Sequence, residues 1–148
     1  MTRTLALVFA ALFLSAPTVY ADEAGSAPAP AIEFLDANSV DLNDFLWVKR
    51  PIIVFADSPA DPRVVEQLDL LRAREAPLLE RDVVVIVDAD RREGSALRDT
   101  LRPRGFMLVI MGKDGEIELR KPSPWDVREI SRTIDKMPLR QQEIRANR

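Results

Sequence analysis

The sequence predicts an α/β domain on a mixed four-stranded sheet with flanking helices, in the order β-α-β-α-β-β-α. Three observations carry this reading. Residues 51–56 and 83–87 are continuous apolar runs of strand length with one helical stretch between them. Such runs mark strands covered on both faces, and a helix-length connection makes them parallel neighbours with a right-handed crossover. A third apolar run, residues 106–111, leads through Gly112-Lys113-Asp114-Gly115 into Glu116-Ile117-Glu118-Leu119-Arg120, which alternates strictly. That is a hairpin closing on a half-exposed edge strand.

Each element has its own punctuation. Asp41 is a candidate N-cap for a short helix or turn carrying Leu42, Phe45 and Leu46. Lys49-Arg50-Pro51 opens the first strand. Beyond Ala56, Asp61 caps the first helix and Pro62 takes its first position, where the missing N–H costs nothing. Val64, Val65, Leu68 and Leu71 or Arg72 keep helical spacing, and Pro77 places the chain beyond that helix. The second strand runs out at Asp88-Ala89-Asp90. Gly94-Ser95 precede a short helix over residues 96–101, closed by Pro103 and Gly105. Ser123-Pro124-Trp125-Asp126 reads as a cap, a first-position proline and an acid at N3. Val127, Ile130, Ile134 and Met137 then form one apolar helix face, in which Trp125 is expected to join the core, until Pro138 ends it.

The N-terminus reads as an export signal. Arg3 gives a positive start, residues 5–14 an apolar core, and Val19-Tyr20-Ala21 small residues at a cleavage position. The expected organisation is a signal peptide over 1–21, a flexible Ala/Pro-rich linker over 22–31, one domain over 32–138 and a polar, loosely ordered tail over 139–148. The apolar run is short for a membrane span, so a periplasmic or secreted protein with no membrane attachment after cleavage is expected.

Composition removes more chemistry than the motifs supply. The 148 residues include no Cys and no His, and the formal net charge is −3. Without a thiol there is no dithiol exchange and no disulfide. Without His, the commonest acid/base group and metal ligand are missing. The mild acidity argues against nucleic acid, which favours a basic stripe.

The assembled elements form a thioredoxin-like module, and one set of segments resembles the bacterial members of the DUDES family, the P-DUDES proteins. The matching pieces are residues 47–51, the Val-Phe-Ala-x-Ser-x-x-Asp-Pro segment ending at Pro62, Gly112-Lys113-Asp114-Gly115, and Met137-Pro138-Leu139-Arg140-Gln141. Related domains occur in vertebrate extracellular sushi-repeat proteins and in a secreted, matrix-associated coiled-coil-domain protein. The resemblance implies a thioredoxin-like fold and export, and brings no established activity with it. Pro59 and Pro62 stand roughly where a thioredoxin carries its two cysteines, and Phe106 near the position of its cis-proline.

The candidate surface is the loop after the first strand, at the edge where open α/β sheets place ligands. Asp57, Ser58, Asp61 and Arg63 lie there beside a helix N-terminus that favours anions, with Ser58 and Arg63 the expected donors to a carboxylate or phosphate. The plainer alternative makes Asp61 a cap, Ser58 a turn residue and Arg63 a solvated side chain. Arg104, in Arg102-Pro103-Arg104-Gly105, adds positive charge near the same edge. Asp88-Ala89-Asp90 with Glu93 departs from a calcium loop, because Arg92 and Glu93 hold its fifth and sixth places, so a solvated loop is expected. Gly112-Lys113 lacks the strand–loop–helix context of a phosphate loop. Ser58 has no His to activate it and no Gly-x-Ser-x-Gly elbow. The expected function is a redox-inactive binding module for an extracytoplasmic protein or a small anionic ligand, without cofactor or metal. The alternative is a non-thiol enzyme related to peroxiredoxin-like proteins.

Overall fold

The computed structural model describes residues 30–148. The signal-peptide expectation and most of the linker expectation lie outside the described residues. The chain runs through β1 (Phe34–Asp36), two 3-10 turns (Ala37–Ser39 and Leu42–Phe45), β2 (Arg50–Phe55), α1 (Pro62–Ala73), α2 (Ala76–Leu79) and β3 (Val83–Asp88). It continues through α3 (Ala96–Leu101), β4 (Met107–Met111), β5 (Ile117–Lys121), α4 (Val127–Lys136) and α5 (Pro138–Ala146). The strands form one mixed sheet in the order β1-β3-β2-β4-β5.

The sheet has five strands, not the expected four. The additional strand, β1, is three residues long, too short to show a period, and it exists through its pairing with β3, Phe34 opposite Val85. β2 holds the centre, parallel to β3 and antiparallel to β4, and all six of its residues are buried. Alternation along β2 divides the core. Ile52, Val54 and Ala56 pack with Val64 and Leu71 of α1, Leu78 of α2, and Ile130 and Ile134 of α4. Ile53 and Phe55 pack on the opposite face with Leu97 and Leu101 of α3 and with Ala37. Each of the Val, Leu, Ile and Phe side chains among these contributes about 1.5–3 kcal/mol by leaving water.

Asp61 and Pro62 start α1 as expected, but the helix turns Val64, Gln67 and Leu71 inward and leaves Val65 54% exposed. Gln67 is wholly buried because its amide is satisfied: Nε2 donates to the Trp125 carbonyl (3.1 Å) and Oε1 accepts the Trp125 N–H (2.7 Å). That exchange holds Trp125 outside α4. The cap is therefore Asp126, accepting the Arg128 N–H at 2.6 Å, and not Ser123. Trp125 packs half-buried against the core, with Lys121 Nζ 4.7 Å from its ring centroid.

Two prolines expected only to close helices also begin new ones. Pro77 lies in the first turn of α2 and Pro138 in that of α5. The segment expected as a loose tail is thus mostly helical, and Glu143 pins it to the sheet. Arg50, wholly buried at the start of β2, donates Nη2 to Glu143 Oε1 (2.9 Å) and Nη1 to the Arg81 carbonyl (2.9 Å). Lys113 Nζ lies 3.0 Å from Glu143 Oε1, and Arg140 Nη1 donates to Oε2 at 3.1 Å. Burial pushes the Glu143 carboxyl upward, but the bonds from Arg50, Lys113 and Arg140 outweigh it and hold it at about 2. The expected hairpin turn is present. Gly115 has φ +82°, and a Cβ there would meet Leu46 Cδ2 at 2.9 Å, so both backbone and space require glycine.

Candidate functional site

β2 and β3 end level, with Phe55 opposite Asp88, and β4 begins beside them with Met107 opposite Phe55. The loop that leaves β2 here is organised by its own short side chains. Ser58 Oγ accepts the Ala60 N–H (3.2 Å), and the Ser58 carbonyl accepts the Asp61 N–H (3.1 Å). Asp61 Oδ1 accepts the Arg63 N–H at 3.0 Å, capping α1. The Arg63 side chain turns back on that cap, Nε to Oδ1 at 2.9 Å and Nη2 to Oδ2 at 2.6 Å, with its guanidinium 5.4 Å from the Phe106 ring centroid. The hydrogen bond from Arg63 holds the Asp61 carboxyl below its ordinary range and raises Arg63 in return. Of the two donors expected to meet an anion, Arg63 is therefore engaged by Asp61. Ser58 is exposed and serves the turn.

The strongest polar cluster at this edge involves residues that the sequence left in a solvated loop or a helix. Asp88 is buried. Its Oδ1 accepts Arg98 Nε at 2.7 Å and its Oδ2 accepts the Ser95 hydroxyl. Ser95 in turn caps α3 by accepting the Arg98 N–H at 3.2 Å. Arg98 Nη2 also donates to the carbonyls of Ala56 and Asp88, so one guanidinium ties the ends of β2 and β3 together. Asp90 is half-buried, and it holds Arg92 as Asp61 holds Arg63: backbone N–H 2.9 Å, Nε 3.1 Å, Nη2 2.9 Å. A serine seven residues and an arginine ten residues after a strand-terminal aspartate carry no periodic signal, and for that reason the cluster escaped the sequence.

Asp57 is exposed beside this cluster, its Oδ1 3.6 Å from Arg98 Nη1 and its Oδ2 3.9 Å from Arg91 Nη1. Arg104 is exposed and lines a cleft of about 400 Å³ with Arg91, Gly94, Arg98, Asp99, Arg102 and Pro103. Ser58, Asp61 and Arg63 do not line it. The candidate residues thus fall into two groups, a closed helix cap (Ser58, Asp61, Arg63) and an arginine-lined cleft with Asp57 beside it. On the other side of α3, a hollow of about 590 Å³ is lined mainly by apolar side chains, Leu42, Phe45, Leu97 and Met111 among them. Among the described residues, no group of three or more acidic side chains is placed to hold a metal ion. No helix among them is long and apolar enough to cross a membrane.

The arrangement offers recognition of negative charge and little for group transfer. Ser95 is 2% exposed, and among the described residues no side chain hydrogen-bonds Ser58 Oγ as a base would. The positions expected for thioredoxin cysteines hold Pro59, in the turn, and Pro62, at the start of α1. Phe106 precedes β4, and every peptide bond among the described residues is trans.

Fold and site together define a thioredoxin-like α/β domain without thiols. Residues 41–143 match the family described as a domain of unknown function, DUF4174, and the chain belongs to that family. Among solved structures it is similar to Plasmodium yoelii Prx1a, at 17% identity over 70% of this chain and 80% of that one, with a TM-score of 0.52. It is also similar to thioredoxin peroxidase I of Plasmodium yoelii (17%, 70% and 80%, TM-score 0.46) and to the mitochondrial 2-Cys peroxiredoxin of Plasmodium falciparum (18%, 65% and 79%, TM-score 0.45). The likeness to Prx1a establishes the thioredoxin-like fold. No curated protein matches the chain.

Proposed function

We infer that the protein is a redox-inactive binding module that recognises an anionic ligand in the arginine-lined cleft. The cleft carries this reading: four arginines line it, and of the acidic residues among those described only Asp99 does. Arginine suits such a role because its planar fork pairs with oxyanions and stays charged at any physiological pH. The full absence of Cys supports the non-redox part. The apolar h-region and small-residue cleavage position support an exported module, and the four matched segments support kinship with the bacterial P-DUDES proteins.

The test is an amide NMR titration with inorganic phosphate at fixed ionic strength. Shifts concentrated in residues 91–104 and lost in the Arg102→Ala/Arg104→Ala double variant are the expected result. Shifts confined to the apolar hollow, or none at all, would refute the reading.

A further inference from the structure

Arg98 is held from several sides and has one edge left over. Nε and Nη2 are taken by Asp88 and Ala56, and the guanidinium lies 5.6 Å from the Phe55 ring centroid. Its side chain is only 10% exposed. Among the described residues Nη1 meets no hydrogen-bond acceptor, and the carboxylate oxygen it faces, Asp57 Oδ1, stands 3.6 Å away. The other oxygen of Asp57 stands 3.9 Å from Arg91 Nη1. One carboxylate therefore faces two guanidinium groups and closes a hydrogen bond to neither. Arg102 and Arg104 have no ion-pair partner among the described residues, whereas Arg63 and Arg92 are closed on Asp61 and Asp90. Arg102, which lines the cleft, holds a left-handed backbone position, φ +47°, where a glycine would be the easier residue.

A planar carboxylate is satisfied by one bidentate arginine. Guanidinium groups around a cleft offer donors in several directions, and a doubly charged tetrahedral oxyanion can accept them together. Among the described residues no aromatic side chain lines the cleft, so charge dominates its lining. We propose that the cleft binds a phosphate or sulfate group against the free Nη1 edge of Arg98, and that Asp57 is its intramolecular competitor. This rests on the anion-binding reading above. Arg98 is the rigid donor, Arg91, Arg102 and Arg104 close around the group, and the Asp57 carboxylate is the charge it displaces.

Isothermal titration calorimetry at constant ionic strength tests this with inorganic phosphate, sulfate, glycerol phosphate and acetate. The proteins are the wild type, Asp57→Asn, Asp57→Ala and Arg104→Ala, with melting temperatures recorded for each. Phosphate and sulfate are expected to bind at least about tenfold more tightly than acetate, as twice the charge on the ligand requires. Asp57→Asn and Asp57→Ala each tighten phosphate binding by about five- to tenfold, and Arg104→Ala weakens it with little change in melting temperature. Glycerol phosphate binding as tightly as inorganic phosphate supports a phosphate carried on a larger molecule, and much weaker binding supports the free anion. Acetate equal to phosphate overturns the oxyanion class, and unchanged or weaker binding after loss of Asp57 overturns the competitor role. Either result leaves the anion-binding reading standing. No binding of any anion by wild type or Asp57→Asn overturns both.

Discussion

Three aspartates at one edge of the sheet each hold an arginine, and burial decides what each pair is worth. The side chains of Asp88 and Arg98 are 4% and 10% exposed, whereas Arg63 and Arg92 are 47% and 86% exposed. Exposed pairs are screened by water and contribute little, while breaking a buried pair strands a charge in the interior. Arg98→Ala leaves the Asp88 carboxylate with only the Ser95 hydroxyl and also removes the bond to the Ala56 carbonyl, while the Asp88 carbonyl keeps the Ala56 N–H at 2.9 Å. It is expected to cost roughly 3 kcal/mol or more in denaturant unfolding. Asp61→Ala removes a cap and is expected to cost distinctly less. Arg63→Ala should change stability least, because the backbone N–H of residue 63 still reaches Asp61 Oδ1. If Arg98→Ala proves as mild as Arg63→Ala, the Asp88 cluster does not hold the strand ends. These residues also mark how far the sequence could be read at the site. The Asp61 cap was legible because cap, proline and apolar face have fixed spacing. The Asp88, Ser95 and Arg98 cluster depends on where two side chains turn after folding, and no spacing rule encodes that.

At the scale of elements, the long apolar runs announced β2, β3 and β4, because a strand buried on both faces has few polar residues to confuse it. The elements that escaped are those whose stability comes from a neighbour. β1 leans on β3, and α5 is held by Glu143 reaching the buried Arg50. With Glu143 held at about 2 against an ordinary 4.5, the unfolded chain takes up the proton first as pH falls. The stabilisation is therefore complete above about pH 4.5 and is lost progressively as pH approaches about 2. Glu143→Ala is expected to cost roughly 2–3 kcal/mol at neutral pH, since Arg50 Nη2 loses its carboxylate while Nε already has no partner. Urea unfolding at neutral pH and near pH 3 checks the linkage, because Glu143→Gln should flatten this part of the acid dependence. A variant as acid-sensitive as the wild type would place the titrating group elsewhere.

For the whole molecule, the fold is thioredoxin-like and the chain carries no cysteine. The sheet brings the Asp57–Asp61 loop, the start of α1 and Phe106 to one edge, as the contact of Arg63 with both Asp61 and the Phe106 ring records. Pro59 and Pro62 hold the expected thiol positions, and the chain has no Cys from which a thiol could be recruited. The Ser58 hydroxyl supports the turn, and among the described residues no base is bonded to it. The purified protein is therefore expected to show no insulin reduction and no peroxide consumption with a thiol donor, at rates indistinguishable from a heat-inactivated control. Because its stability comes from two packed cores and buried ion pairs and not from disulfides, its melting temperature should be the same with and without dithiothreitol. Turnover above the control would require a catalytic group of another kind. A reductant-dependent melting temperature would contradict the packing account of its stability.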